Sequence, residues 1–347
     1  MRIPYDECLE MVTGVFEKAG LEREIAISQA DMMVDAEALG IVSHGLNLIP
    51  KYVGCYLAGA INISPEVRVE DKAPSVAVVD GDAGPGPVVM DKAIDIAMEK
   101  ARVNGISSVV CTNLQHYGAG MHYVWKAVEE GMMIFITANA PANMAPYGGS
   151  RKYYGTNPMT FSSPMGSLPP YTLDMASSAI AGNKLENYMR KGEKAPDGIG
   201  LDRNGNPSCD PEEIMKYGSL LPFGGAKGSG IAGMINLISG VLVPGAAYED
   251  VISLARSREK PSCYGCMIRV MNISSFIDME EFNSKAENWG SAILLNPPAD
   301  GFDSVVYPGY REYLRKNDSK RNGIELSEYS IDCLKKGAEL TGSEINL

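Results

Sequence analysis

Histidine is almost missing from this chain: its 347 residues include three, His44, His116 and His122. Imidazole alone titrates near neutrality without perturbation, so acid–base chemistry at physiological pH has few places to sit. Positive charge is scarce too, with 31 Lys and Arg against 43 Asp and Glu and a net charge of -12. That balance argues against nucleic acid or an anionic membrane as the main partner, because phosphate binding draws on clustered Lys and Arg. Any phosphate site must be local. No apolar run reaches membrane-spanning length. The opening MRIPYDECLE has acids and Pro4 where a signal peptide needs an apolar stretch, so the protein reads as cytosolic.

The familiar catalytic signatures are missing as well. There is no G-x-x-x-x-G-K-[ST], no G-x-S-x-G and no H-E-x-x-H, and GDAGPG carries an inflexible Pro85 that disqualifies it as a Rossmann fingerprint. His116 and His122 are six residues apart, which does not place both on one helical face, so no catalytic metal is expected. Seven scattered cysteines suit free thiols in a reducing compartment. Cys263 and Cys266 form one C-x-x-C, but without a second pair or a nearby histidine it does not suggest zinc.

What is present is ordinary globular material, 45% apolar and 21% charged, enough for two or three lobes sharing one body. Leu9, Val12, Val15, Phe16 and Ala19 mark a helix ending at Gly20, and a second helix runs to about Leu39. After a Ser43-His44-Gly45 turn, Leu46, Ile49, Val53, Tyr56 and Leu57 begin a third stripe, placing His44 on a helix-to-helix junction. Val76 to Val79 reads as a strand, followed by a helix with Met90, Ala93, Ile94, Ala97, Met98 and Ala101 on one face. Ile106 to Thr112, Met121 to Glu130 and Met132 to Ala138 then form a β-α-β unit, with His116 just past its first strand. Residues 139–182 read as converging loops and 184–210 as polar and irregular. Further on, a helix is expected from Ile231 to about Val243, a strand at CMIRVMNI, helix from Met279 to Glu287, and a C-terminal helical region. The fold class expected is α/β with a mixed sheet and α+β character.

His44 and His116 are the candidate acid–base groups, both at element ends beside glycines that let a ligand approach; the competing reading is that each is a satisfied core or capping residue. GGAKGSG opening a helix is either an anion site, with backbone N–H groups and Lys227 as donors, or a helix packed closely through its glycines.

Taken in order, the segments SHG…P (Ser43 to Pro50), GDAGPGPVVMDKAIDIA, NLQHYGAG, APYGG, YYGTNPM, LDMASSAIAGNK, GGAKGSG and PPADGFDSVVYPG resemble the type 2 malate/L-lactate dehydrogenase family over nearly the whole chain. The resemblance implies a non-Rossmann fold that uses NAD or NADP, without a metal, to interconvert a small 2-oxo acid and its 2-hydroxy acid, in a homodimer. It divides the chain into a helical part, 1–75 completed by 300–347, and a central mixed-sheet region, 76–299, that binds cofactor and substrate. His44 resembles the family's proton donor and acceptor, with Ser43 beside it and His116 assisting. Pro146, Gly148, Thr156, Asn157, Asp174, Met175, Ala176, Ser177, Lys227, Gly228, Gly309 and Arg311 match positions that contact the cofactor.

Two positions depart from the pattern. Leu48 stands where the family commonly has an arginine suited to gripping a carboxylate bidentately, and Tyr310 follows the PG where an acid or imidazole is usual. Either another cation holds the substrate acid, or the chain acts on a different carbonyl or imine, or it binds a metabolite without turning it over.

Overall fold

The computed structural model describes residues 1–244, 251–254 and 260–345, with Asn183 described by its backbone alone. A short strand β1 (Arg2–Ile3) leads into helices α1 (Tyr5–Lys18), α2 (Arg23–Leu39) and α3 (Ile49–Leu57). Gly40 adopts the left-handed conformation at the end of α2 (φ 80°), which stops that helix and turns the chain toward His44. Strands β2 (Arg68–Ala73) and β3 (Val76–Asp80), helix α4 (Gly86–Asn104), strand β4 (Ile106–Leu114), helix α5 (Met121–Glu129) and strand β5 (Met132–Ala138) follow.

The middle of the chain is more regular than its turn-rich composition suggests. Inside the stretch expected to be loops lies a hairpin, β6 (Met159–Met165) with β7 (Leu168–Met175), closed by the tight Gly166 turn. The polar stretch expected to be irregular begins with helix α6 (Gly182–Lys191). Among the described side chains of α6 only Leu185 is buried, so the helix lacks the repeating buried stripe that identifies one in sequence. Then come β8 (Gly200–Leu201), α7 (Pro211–Lys216), β9 (Ser219–Leu220) and α8 (Ala226–Asn236). Helix α8 begins earlier than its apolar pattern implies and passes at Leu237–Val241 into a single π-helical stretch. Strand β10 (Tyr264–Asn272), helices α9 (Met279–Leu294) and α10 (Tyr310–Asn322), strand β11 (Ile324–Glu325) and helix α11 (Glu328–Thr341) complete the order.

Seven strands form one sheet in the order β2-β3-β4-β10-β5-β6-β7. Among these seven strands only β3 and β4 pair in parallel, joined by α4. The expected β-α-β unit is present, but β4 and β5 are not neighbours: β10 lies between them, antiparallel to both. This insertion fills the centre with a long buried strand, and its N-terminal Tyr264 pairs with Leu114 at the end of β4. The C-terminal ends of β4 and β5 therefore meet the start of β10, beside the point where His116 follows β4.

The main core joins α1 to α4, α11 and the sheet, with Phe16, Met32, Met33, Tyr52, Met98 and Ile136 among its largest buried side chains. Strand β1 pairs with β11, α11 packs on α3 and α1, and α10 on α2, so the two ends of the chain close on each other. A smaller core of Met144, Leu185, Ala195, Ile199, Ile214, Leu220 and Ala232 holds the segment containing α6 to α8.

Candidate active site

His44 ends a single 3-10 turn, Val42–His44, between α2 and α3. The turn rests on Glu37, whose buried carboxylate accepts from the Leu46 N–H (2.9 Å) and the Ser330 hydroxyl (3.0 Å). A side chain at Gly45 would put its first carbon 2.5 Å from Glu37 Oε1, so only glycine lets the turn lie this close. Burial raises the Glu37 carboxyl to about 7, while those hydrogen bonds pull the other way. The Ser43 hydroxyl lies 2.9 Å from His44 Nδ1.

His116 follows β4 and is set by a second glycine contact. Helix α4 starts against it, and a β-carbon on Gly86 would fall 2.5 Å from the His116 carbonyl. The Tyr52 hydroxyl sits 2.5 Å from His116 Nδ1 and 3.3 Å from its carbonyl oxygen, fixing the ring's orientation. Tyr264 meets the same ring edge-on at 5.9 Å.

These constraints bring His44 and His116 together, their rings stacked at 5.7 Å and 11°. Both rings keep part of their surface open. Burial lowers His44 to about 4. For His116 burial again acts first, then the fields of His44 and Lys51, lowering it to about 3. Both are uncharged at neutral pH. Tyr52, pushed well above its usual range by burial, keeps its proton. His122 is separate from this pair: its Nδ1 lies 2.9 Å from Asp35 Oδ2, and Lys316 holds the same carboxylate. Among the described residues, no group of three or more His, Cys, Asp or Glu is arranged to hold a metal.

The positions matched to cofactor contacts fall into two groups. In the first, four loops converge at the start of α8. The Pro146–Gly149 turn is tied to α8 by the Tyr147 N–H bonding to Ser229 Oγ (3.0 Å), and Gly148 has no heavy atom within 4 Å of where a β-carbon would stand. Ser177 reaches Thr156 through both its N–H (2.7 Å) and its hydroxyl (2.8 Å), and its carbonyl receives the Phe223 N–H. Asn157, fully buried, spends its amide on Ala140 N and Ala232 O; it ties loops together and has little left to offer a ligand. Ala176 and Met175 lead into this knot, Met175 paired with Met159 in the hairpin. In GGAKGSG, Gly228 packs so closely that a β-carbon would meet Phe223 O at 2.1 Å, while Lys227 is exposed and no side chain caps the helix.

In the second group Asp174, Gly309 and Arg311 line one cavity of about 710 Å3, together with Met121 and Phe302. Asp174 accepts from Met121 N and Thr160 Oγ1, each at 2.9 Å, and burial raises its carboxyl despite those bonds. Gly309 takes a left-handed turn (φ 84°) to start α10, where a β-carbon would strike Thr172 of β7 at 2.7 Å. Arg311 projects from the first turn and, among the described residues, has no ion-pair partner. A cavity of small-molecule size, two helix starts without side-chain caps, and the cations Arg311 and Lys227 fit a dinucleotide carrying phosphates and a polar ribose.

Sequence reading missed two of the residues that build this site: Tyr52 and Glu37. Tyr52 lies eight positions after His44 and was readable only as core, since nothing local indicates that its hydroxyl meets a residue 64 positions away. Leu48 is 5% exposed and belongs to the main core.

Known proteins fit this geometry. The sequence profile of malate/L-lactate dehydrogenases matches residues 3–335. A malate dehydrogenase of Pyrococcus abyssi is 34% identical over 99% of this chain and 95% of its own. An L-sulfolactate dehydrogenase of Methanocaldococcus jannaschii is 33% identical over 94% of this chain and 93% of its own. The solved malate dehydrogenase of Pyrococcus horikoshii superposes with a TM-score of 0.90 at 31% identity, covering 99% of this chain and 96% of that one. With the match running from β1 into α11 and the fold superposing over 99% of the chain, this protein belongs to the malate/L-lactate dehydrogenase family.

Proposed function

We propose that this NAD(P)-dependent dehydrogenase interconverts a 2-oxo acid and its 2-hydroxy acid, with His44 giving and taking the proton at the substrate oxygen and His116 assisting. The observation that carries this reading is the shielded, stacked pair of imidazoles, each held at Nδ1 by a neighbouring hydroxyl. When bound, the nicotinamide cofactor supplies or accepts the hydride. Asp174, Gly309 and Arg311, with Lys227 and the loops around Thr156 and Ser177, are the residues that would hold it.

In reduction, negative charge develops on the former carbonyl oxygen, and a proton from the histidine pair neutralises it. In oxidation the same pair removes the hydroxyl proton. The empty pair is uncharged, but an anionic substrate beside it raises imidazole basicity, so substrate and proton arrive together. Partial exposure of both rings lets solvent restore the proton after each turnover. The chain acts as a homodimer, a reading supported by exposed apolar side chains on and after α9, among them Trp289, Leu295 and Phe302.

A panel of 2-oxo acids and cyclic imino acids, assayed with NADH and NADPH by loss of absorbance, tests the reaction. Turnover of a 2-oxo acid that is lost in His44→Ala, with cofactor binding and fold retained, is the expected result; near-normal turnover in that variant rules out the role of His44. Light scattering of the eluting protein tests the dimer.

A further inference from the structure

Leu48 lies in the core, so the position the family commonly gives to a guanidinium offers the substrate carboxylate nothing. We propose that Lys51, one helical turn further along, is the residue that anchors the substrate carboxylate in this enzyme; this rests on the 2-oxo acid reading above.

Three observations meet on Lys51. It follows Leu48 by three residues and directly precedes Tyr52, so it shares the first turns of the helix whose next side chain holds His116. Its charge acts with burial and His44 to disfavour protonation of the His116 ring, whereas His44 is lowered by burial. Its partner is weakly held: Lys51 Nζ lies 3.6 Å from Glu186 of α6, with side chains 35% and 48% exposed. An ion pair that long and that exposed contributes about 0–1 kcal/mol, so an incoming carboxylate can exchange with Glu186 at little cost. The link also ties α3 to α6 of the segment built on the smaller core.

The exchange has a chemical consequence. While Lys51 is free of substrate, its charge opposes protonation of His116; a carboxylate bound between them cancels that field, and the pair can take up the proton that reduction consumes. An ammonium is a point charge without the planar fork of arginine, so this anchor tolerates more variation in how the acid is presented.

The test is steady-state kinetics on Lys51→Met, Lys51→Arg and Glu186→Gln with the best 2-oxo acid from the panel and with its uncharged amide. Loss of one charge-assisted hydrogen bond is expected to raise KM for the acid about ten- to a hundredfold in Lys51→Met, with kcat changed far less. Binding of NADH or NADPH, followed by fluorescence, stays unchanged, and Lys51→Arg recovers most of the loss. The amide is turned over equally by wild type and Lys51→Met. Glu186→Gln releases the lysine and lowers KM, whereas a purely structural bridge would raise it or lower the melting temperature. An unchanged KM in Lys51→Met, alongside normal wild-type turnover, overturns the anchor and leaves the proposed reaction standing. Absence of wild-type turnover on every 2-oxo acid overturns both.

Discussion

The hydroxyl of Tyr52 lies 2.5 Å from Nδ1 of His116, joining helix α3 to the loop after strand β4 across 64 residues of chain. Tyr52 is fully buried, and its phenol reaches this ring and the adjacent carbonyl. Replacing it with phenylalanine frees the imidazole to rotate. Turnover in Tyr52→Phe is expected to fall about tenfold while cofactor affinity holds, as judged by kcat beside a fluorescence titration, because a neutral hydrogen bond contributes about 1 kcal/mol.

The histidine pair also makes stability depend on pH. Both rings titrate below their unfolded value of 6.5, at about 4 and about 3, because burial disfavours the cation. The unfolded chain therefore binds more protons, so the stability is fully present above pH 6.5 and is lost as pH falls toward the folded values. Between pH 7 and 5 each ring costs about 2 kcal/mol. Glu37, raised to about 7, acts in the opposite sense, stabilising below its unfolded value of 4.5 and losing that contribution as pH rises through 7. Denaturant unfolding of wild type and His44→Gln at both pH values isolates the histidine part: the variant should lose less stability on acidification, and parallel losses would contradict it.

Gly45 governs where His44 stands. An added methyl would lie 2.5 Å from Glu37 Oε1 and 2.7 Å from Cδ, inside a carboxylate already committed to Leu46 and Ser330. Gly45→Ala should cost about 1–3 kcal/mol as overpacking and should reduce kcat through displacement of His44. Glu37→Gln keeps an oxygen for the Leu46 N–H and should be milder; thermal unfolding ranks the two.

Asp35 is fully buried between His122 and Lys316, which also stacks over Trp125 at 4.6 Å. Its carboxylate ties α2 to α5 and to α10, the helix that carries Arg311 into the cofactor cavity. Asp35→Asn leaves one or both cations uncompensated, and a destabilisation of about 3–5 kcal/mol is expected from urea unfolding.

Arg311 and Lys227 serve two ends of the proposed cofactor site. Charge recognition of phosphate weakens with salt, so Arg311→Ala and Lys227→Ala should each raise the cofactor Kd about tenfold at low ionic strength, and the gap to wild type should narrow in high salt. Nicotinamide fluorescence measured across a salt series checks both.

Much of this molecule is written locally. Apolar residues at helical spacing mark α1, α2, α4 and α5, and short β-branched runs mark β3, β4 and β5, because each of these elements buries one face against a core. The order of small motifs carries the family, and the two histidines stand out because the chain has so few. Helix α10 escapes such reading: YREYLRKNDSKRN is polar on nearly every side and buries Ser319 alone. It stays helical through contacts with α2 and the Lys316–Asp35 bond, which no local pattern announces.

Tertiary structure decides the rest by joining residues remote in sequence. Placing β10 between β4 and β5 requires pairing Cys266 with Ala138, a long-range choice that periodicity cannot express. His44 and His116 are individually legible as candidates, but their stacking depends on Gly45, Gly86 and Tyr52 meeting through three separate segments. The sequence by itself determined the family, the elements that carry a regular apolar stripe or β-branched run, and the scarce reactive groups, since those follow from residue type and spacing. Which groups face one another, and that Leu48 turns into the core while Lys51 remains near His116, is set only when distant surfaces pack and exclude water.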